Sequence, residues 1–471
     1  MNNQLNDRSL NRQTKPLAIV DRIAAGKALR QTVKRSDHAA YQPPPNREDP
    51  IAILEAQAET RVAELVPIRY ARMLTSPFAF LRGSAAVMIQ DIAPASTTGL
   101  TVQACGDMHV SNFGVFASAE RSLVFAINDF DETYVGAWEW DLKRLVASAV
   151  VAGRFLGGDR VVCEAAVRAV VQSYRQHLHE YAGMGYLDLW YANITEADLL
   201  QALPTEAHKK ATQILTKARQ RTHLQVLEKM TDLIDNQQHI VEASPLVVRA
   251  ETIRGEEASV ETIRQLIQNY LASLSSDRRF LASRYRILDV ARKVVGVGSV
   301  GTRCWVAYLQ GTDASDPLFL QIKEAQPSVL APYTEILCSY RLPDDHQGHR
   351  IVTGQRLIQG APDIFLGWGE LDGIHYYIRQ LRDMKGGVKL EPGKFQVARL
   401  PDYCHICGWA LALAHAKSGD AAMLAGYMGE NAALDDALVK FAFAYAEQTE
   451  QDYDRLADAA KQGRIQVAIE F

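Results

Sequence analysis

Cys105-Gly106-Asp107-Met108-His109-Val110-Ser111-Asn112-Phe113-Gly114, followed downstream by Ile127-Asn128-Asp129-Phe130-Asp131-Glu132, is the stretch that decides how this chain is read. Phosphoryl transfer needs few protein parts: a carboxylate to orient the attacking hydroxyl, and oxygen ligands to hold Mg²⁺ against the phosphates. Asp107 and Asn112 can supply both from one loop, and Asp129 after the next strand completes a metal site. Between them, Val115-Phe116 and residues 123–127 are short, β-branched and aromatic, which predicts a hairpin. Asp131 and Glu132 read either as further metal shell or as a solvated turn. Asp and Asn in loops are more commonly satisfied by local backbone amides. The three-part spacing is what favours chemistry here.

Far downstream, Gly296-Val297-Gly298-Ser299-Val300-Gly301 matches G-x-G-x-x-G, a spacing that two mechanisms share. A dinucleotide site needs a helix straight after the glycines. Here Thr302-Arg303-Cys304-Trp305-Val306-Ala307-Tyr308-Leu309 alternates as a strand, and after a turn at 311–317 comes Leu318-Phe319-Leu320-Gln321-Ile322-Lys323. Strand, glycine flap, strand, turn and a strand ending in lysine is the arrangement of a kinase nucleotide lobe. Gly296, Gly298, Ser299, Gly301 and Lys323 are therefore the candidate nucleotide-binding residues; the plainer alternative is a glycine-rich hairpin with an exposed lysine.

The rest of the chain is consistent with a large globular protein, at 48% hydrophobic and 23% charged residues. A net charge of −4 argues against a partner such as nucleic acid, whose many phosphates would need neutralising. No apolar run approaches the roughly 18–20 residues of a membrane span, and the polar N-terminus lacks a secretory signal. Six scattered cysteines are too few for a disulfide framework, so a cytoplasmic setting is expected. Residues 1–48 read as a polar tail or surface-hugging extension, and 49–285 as a mainly helical lobe carrying the catalytic and metal-binding loops. Within the latter, 140–275 reads as almost wholly helical, with 205–240 a solvated amphipathic insert. Residues 286–385 form the predicted β-rich nucleotide lobe, with strands at 289–295, 303–309, 318–322, 364–368 and 374–381. Residues 386–471 return to helices that complete the helical lobe, and Cys404 and Cys407 there read as buried thiols rather than a zinc site.

The G-D-x-H-x-x-N loop, the hairpin and the D-F-x segment resemble the catalytic and metal-binding loops of the aminoglycoside phosphotransferase and choline kinase type of kinase-like fold. That resemblance implies Asp107 as catalytic base, His109 as a shaper of the catalytic loop, Asn112 as a magnesium ligand on it, and Asp129 as the principal metal ligand. Trp138-Glu139-Trp140-Asp141-Leu142 resembles the later segment whose acid braces the catalytic loop; Asp141 also reads independently as a helix N-cap. In ordinary kinases the glycine loop precedes the catalytic loop, whereas here it follows. The implied fold is thus α+β, bilobal, protein-kinase-like and circularly permuted, with a large helical lobe and a small antiparallel β lobe.

As a whole the chain is identified as a member of the bacterial family catalogued as domain of unknown function 2252. The identification rests on Ser76-Pro77-Phe78-Ala79-Phe80-Leu81-Arg82-Gly83, on the two loops above, on Gln321-Ile322-Lys323-Glu324-Ala325, and on Ala414-His415-Ala416-Lys417-Ser418-Gly419-Asp420. The expectation is an ATP- and Mg²⁺-dependent phosphotransferase with an unidentified small-molecule acceptor. AMP transfer to a protein and a nucleotide-binding regulatory role are the alternatives. A metallophosphoesterase would need further metal-binding motifs that the chain lacks. The predicted helix at 348–360 has no acid to pair with Lys323, which leaves Gln355 or Glu335 as candidate partners. Arg82 and Arg379 are candidate phosphate or substrate contacts.

Overall fold

The computed structural model describes residues 17–44, 46–234, 237–253, 260–334, 345–381 and 384–469. The chain is mixed α+β with antiparallel sheets. Its helical core is built around the Trp138–Phe155 helix, which is buried on nearly every side and apolar beyond its first two turns, where Glu139, Asp141, Lys143 and Arg144 are enclosed. The Arg160–Ala182 and Leu400–Ser418 helices pack on one another beside it, with the Ala433–Lys461 helix on a further flank. Gly408 makes the closest of these approaches possible: a Cβ there would lie 2.3 Å from the carbonyl oxygen of Val170.

Four short strands carry the loops of interest onto this core. β1 (Thr101–Ala104) pairs with β4 (Tyr134–Ala137), and between them β2 (Phe113–Ala117) pairs with β3 (Leu123–Ile127). A short β5 (Ile194–Thr195) extends β3. The hairpin expected at 115–127 is thus present, its first strand starting two residues before Val115 and ending one after Phe116.

The 140–275 region departs from the all-helical expectation. After the Thr205–Gln220 and His223–Met230 helices come β6 (Thr231–Ile234), β7 (Gln237–Ile240) and β8 (Val247–Arg249). Two successive valines, Val247 and Val248, favour a strand at β8, and this local preference prevails over the amphipathic pattern. At the other end of the chain, 17–44 is an extension that hugs the surface: the Ile19–Ala28 helix packs on the Ala421–Met428 helix, and Arg22 pairs with Asp420. Residues 1–16 of the expected tail lie outside the described residues.

β9 (Arg286–Lys293), β10 (Cys304–Gln310), β11 (Pro317–Glu324), β12 (Gly367–Leu371) and β13 (Ile374–Gln380) join β8 in a six-stranded antiparallel sheet of order β12-β13-β11-β10-β9-β8. β12 starts later than the expected 364–368 because Asp363 accepts the Phe365 N–H and forms a turn first. Alternate residues of β11 face opposite ways. Leu318, Leu320 and Ile322 join a core with Leu266 and Tyr270 of the Val260–Leu271 helix, whereas Phe319 packs with Val226, Ile240 and Val306. No described helix is long and apolar enough to cross a membrane.

Candidate functional site

The loop after β1 is fixed from one face of the Trp138–Phe155 helix. Asp141 accepts the N–H groups of Cys105 (2.6 Å) and Gly106 (2.9 Å), and Ser148 Oγ accepts that of Val110 (3.0 Å). Arg144, one turn from Asp141, donates from Nε to Asp107 Oδ1 at 2.7 Å. Asp141 was expected as an N-cap, but the helix begins at Trp138, so its carboxylate sits within the first turn and turns to the loop instead. His415 Nε2 lies 3.3 Å from Asp141 Oδ2, while its Nδ1 meets the Tyr174 hydroxyl. His415 is therefore a buttress two layers behind the loop.

Asp107 keeps its second oxygen on the cleft side of this pairing. His109 Nε2 is 3.7 Å from Asp107 Oδ2, too far for a hydrogen bond. Burial pushes the His109 imidazole down to about 3, so it is neutral near pH 7. Its Nδ1 is buried without a hydrogen-bond partner among the described residues.

Asn112 is a latch between the two loops. Its Oδ1 accepts the Asp129 N–H at 2.9 Å, and its Nδ2 donates to the carbonyls of Asp129 (3.0 Å) and Asp107 (3.2 Å). Metal ligation through this amide would have to use the remaining lone pair of Oδ1.

Asp129 and Asp131 converge on Lys323 from across the chain. Lys323 Nζ is 2.6 Å from Asp131 Oδ2 and 3.4 Å from Asp129 Oδ1. Tyr377, directly across from Lys323 in the β11–β13 ladder, donates its hydroxyl to Asp131 Oδ1 at 2.5 Å. Burial opposes the charge on both Asp129 and Lys323, but their mutual attraction outweighs it. Lys323, Arg379 and Lys385 hold Asp129 well below the usual carboxylate range, and Asp129 and Asp131 hold Lys323 well above its own. Two carboxylates on a cleft wall are the oxygen donors that Mg²⁺ takes. Glu132 is placed differently: it accepts the Val329 N–H, and burial pushes its carboxyl up to about 7.

The glycine loop completes the site as an anchored segment. Arg72 donates to Gly296 O at 2.6 Å, Arg61 donates to Val300 O, and the Val62 N–H donates to Gly301 O at 2.8 Å. Gly301 adopts φ +93°, and a Cβ there would press on the Arg61 stem at 3.1 Å, so only glycine suits the position. A cleft of about 260 Å³ results, lined by Asp107, His109, Asn112, Asp129 and Asp131 together with Gly296, Gly298 and Ser299. Lys323 lies behind the carboxylates, and Gly301 behind Arg61. Beyond Lys323 the same sheet face continues to Gln321, bonded to Arg379, and then to Phe319, covered by Val226 and Ile240. The 205–240 insert, expected to be a solvated helix, thus closes that face with its own side chains.

Residues 61–459 match the family described as an uncharacterized protein conserved in bacteria, domain of unknown function 2252. The chain belongs to that family. Searches of curated proteins and of solved structures returned no match.

In this family member Gln355 does not reach Lys323: its Nε2 donates to Gln359, and acidic partners come instead from the loop after β3. Glu335 lies outside the described residues. Arg379 bonds Gln321 and the Asn128 carbonyl and lines a separate cavity, while Arg82 does line the cleft. Cys404 and Cys407 are buried free thiols in the Leu400–Ser418 helix. Sequence reading missed Arg144, Tyr377, Arg61 and Arg69. The spacing of Arg144 from Asp141 on one helix face could have revealed it. Nothing local marks Tyr377, whose role depends on strand register.

Proposed function

We propose that this protein is an ATP- and Mg²⁺-dependent phosphotransferase of kinase-like, circularly permuted, bilobal fold. The observation that carries the reading is the meeting of Lys323 with Asp129 and Asp131, 194 and 192 residues away in sequence, the two aspartates lining the cleft that holds Asp107 and the glycine loop and the lysine lying behind them. The sheet order supports it, with the glycine loop joining two neighbouring strands and the lysine on the third. In this reading Asp129 and Asp131 hold the metal, which neutralises charge on the transferred group, and Lys323 turns to the donor phosphates. Asp107, held by Arg144, orients the acceptor hydroxyl. The acceptor oxygen forms the new bond to phosphorus as the bridging P–O bond of the donor breaks, its electron pair leaving on ADP. The hydroxyl proton passes to Asp107.

A second reading, a nucleotide-binding regulatory protein, is favoured by one feature: the Gln347–Ile358 helix offers Lys323 no acid, and the lysine is held instead by Asp129 and Asp131, the metal candidates of the first reading. Parallel incubations with γ- and α-labelled ATP, Mg²⁺ and a cell extract separate the readings, with Asp129→Ala beside each. Transfer of γ label that the variant abolishes supports the phosphotransferase. Transfer of α label makes it an AMP transferase. ATP binding without transfer favours regulation, and absence of ATP binding ends both.

A further inference from the structure

Three guanidinium groups line the cleft without a carboxylate partner among the described residues: Arg61, Arg69 and Arg82. Three other enclosed arginines are paired with acids. Arg47 bridges Asp91 and Asp452, Arg144 grips Asp107, and Arg175 meets Asp435. Arg350 has no carboxylate but spends its donors on Gln347 and on the carbonyls of Thr133, Asp131 and Gln326. Arg82 has neither remedy: its guanidinium makes no hydrogen bond or ion pair among the described residues, and its Nε is buried. Arg69 is fully buried, bonded only to Gln57 and the Leu54 and Gly83 carbonyls, with its Nε unsatisfied. Arg61 has a single carbonyl partner, Val300. Burial pushes all three below their ordinary range, as expected of cations lacking counter-charge. An unpaired, desolvated cation destabilises the fold unless a ligand supplies the anion.

We propose that Arg82, together with Arg61 and Arg69 of the same lining, forms an anion subsite of this cleft, and that the acceptor is a small molecule carrying a phosphate group besides the hydroxyl presented to Asp107. A carboxylate occupies one guanidinium bidentately; several guanidiniums without acids suit a phosphate dianion with three free oxygens. Arg82 is the member whose charge acts on both Asp107 and His109. The acceptor role rests on the phosphotransferase reading, whereas the anion site itself does not.

Calorimetric titration of the full chain at constant ionic strength tests this with two probes, inorganic phosphate and Mg·ATP. Arg82→Gln should weaken phosphate binding about tenfold or more while changing Mg·ATP affinity less than about twofold. Asp129→Asn should do the reverse. Without anion, Arg82→Gln should melt no lower than the parent chain, and phosphate should raise its melting temperature less. Phosphate affinity equal in parent and Arg82→Gln overturns the proposal. Equal losses for phosphate and Mg·ATP also overturn it, by assigning the arginines to the donor phosphates. Should Arg82→Gln not fold, Arg82→Lys keeps the charge but loses the fork, and unchanged phosphate binding there overturns the bidentate site. Phosphate binding without any ATP binding would end the phosphotransferase reading and leave the anion site standing.

Discussion

The residues lining the cleft fall into two groups that handle charge in opposite ways. On the carboxylate side each acid but Glu132 has a cation at hand: Arg144 for Asp107, Lys323 for Asp129 and Asp131, Arg303 for Glu324. On the arginine side, Arg61, Arg69 and Arg82 have only carbonyls, amides or nothing. Formally the first group carries four acids against three cations, and in the proposed reading a divalent ion bound by Asp129 and Asp131 would displace Lys323, which would then turn toward phosphate. The second group is poised for an anion. The contrast describes a site in which metal and phosphate would arrive together, each restoring balance to one side.

The largest effect that could break this contrast is expected at Asp129. Asp129→Asn removes a metal ligand and leaves Lys323 with Asp131 alone, so Mg-dependent transfer should fall at least about a thousandfold, given the reliance of this chemistry on charge stabilisation. Residual transfer near the parent rate would place the metal elsewhere. Next is Arg144→Met. It leaves Asp107 and its loop without their cation, and turnover should fall about a hundredfold with a loss of about 1–3 kcal/mol in stability. Urea unfolding alongside kinetics would show whether rate and stability fall together. If stability falls while turnover is unchanged, Asp107 is not the residue that orients the acceptor.

These two positions also show what can be read from sequence. That the G-D-x-H-x-x-N loop and Asp129 share one cleft was legible because the candidate residues sit on contiguous segments, with Asn112 latching one to the other. The glycine loop and Lys323 were legible through period-two alternation, which marks β10 and β11 as strands. Lys323 pairing with Asp129, rather than with a residue of the Gln347–Ile358 helix, was not legible. It follows from how the sheet docks on the helical core, and no local pattern encodes that. The same holds for Tyr377, set by register, and for the arginines at 61 and 69, whose lack of carboxylate partners among the described residues is a tertiary fact. The closing of the Phe319 face was missed because β6–β7 read as a continued helix.

That closed face gives a smaller and sharper test. If a nucleoside enters along Phe319 and Gln321, the segment bearing Val226 and Ile240 must loosen, so hydrogen exchange of amides 223–240 should accelerate on adding Mg·ATP. Unchanged or slower exchange would mean that the donor extends toward the arginines, and would narrow the room left there for an acceptor.

The smallest expected effect concerns Glu132, the cleft acid whose carboxyl burial raises rather than lowers. The folded protein holds this proton more tightly than the unfolded chain, whose carboxyl titrates near the ordinary 4.5. Between pH 4.5 and about 7 the native state therefore binds more protons at this site, and its contribution to stability declines as pH rises through that window. Glu132→Gln removes the linkage while keeping an oxygen to accept the Val329 N–H. Relative to the parent chain it should gain stability at pH 8 and differ little at pH 4.5. Urea unfolding at the two pH values reads this directly. A gain confined to low pH would mean that Glu132 is ionised in the folded cleft and held by Arg350, placing it with the paired acids instead of apart from them.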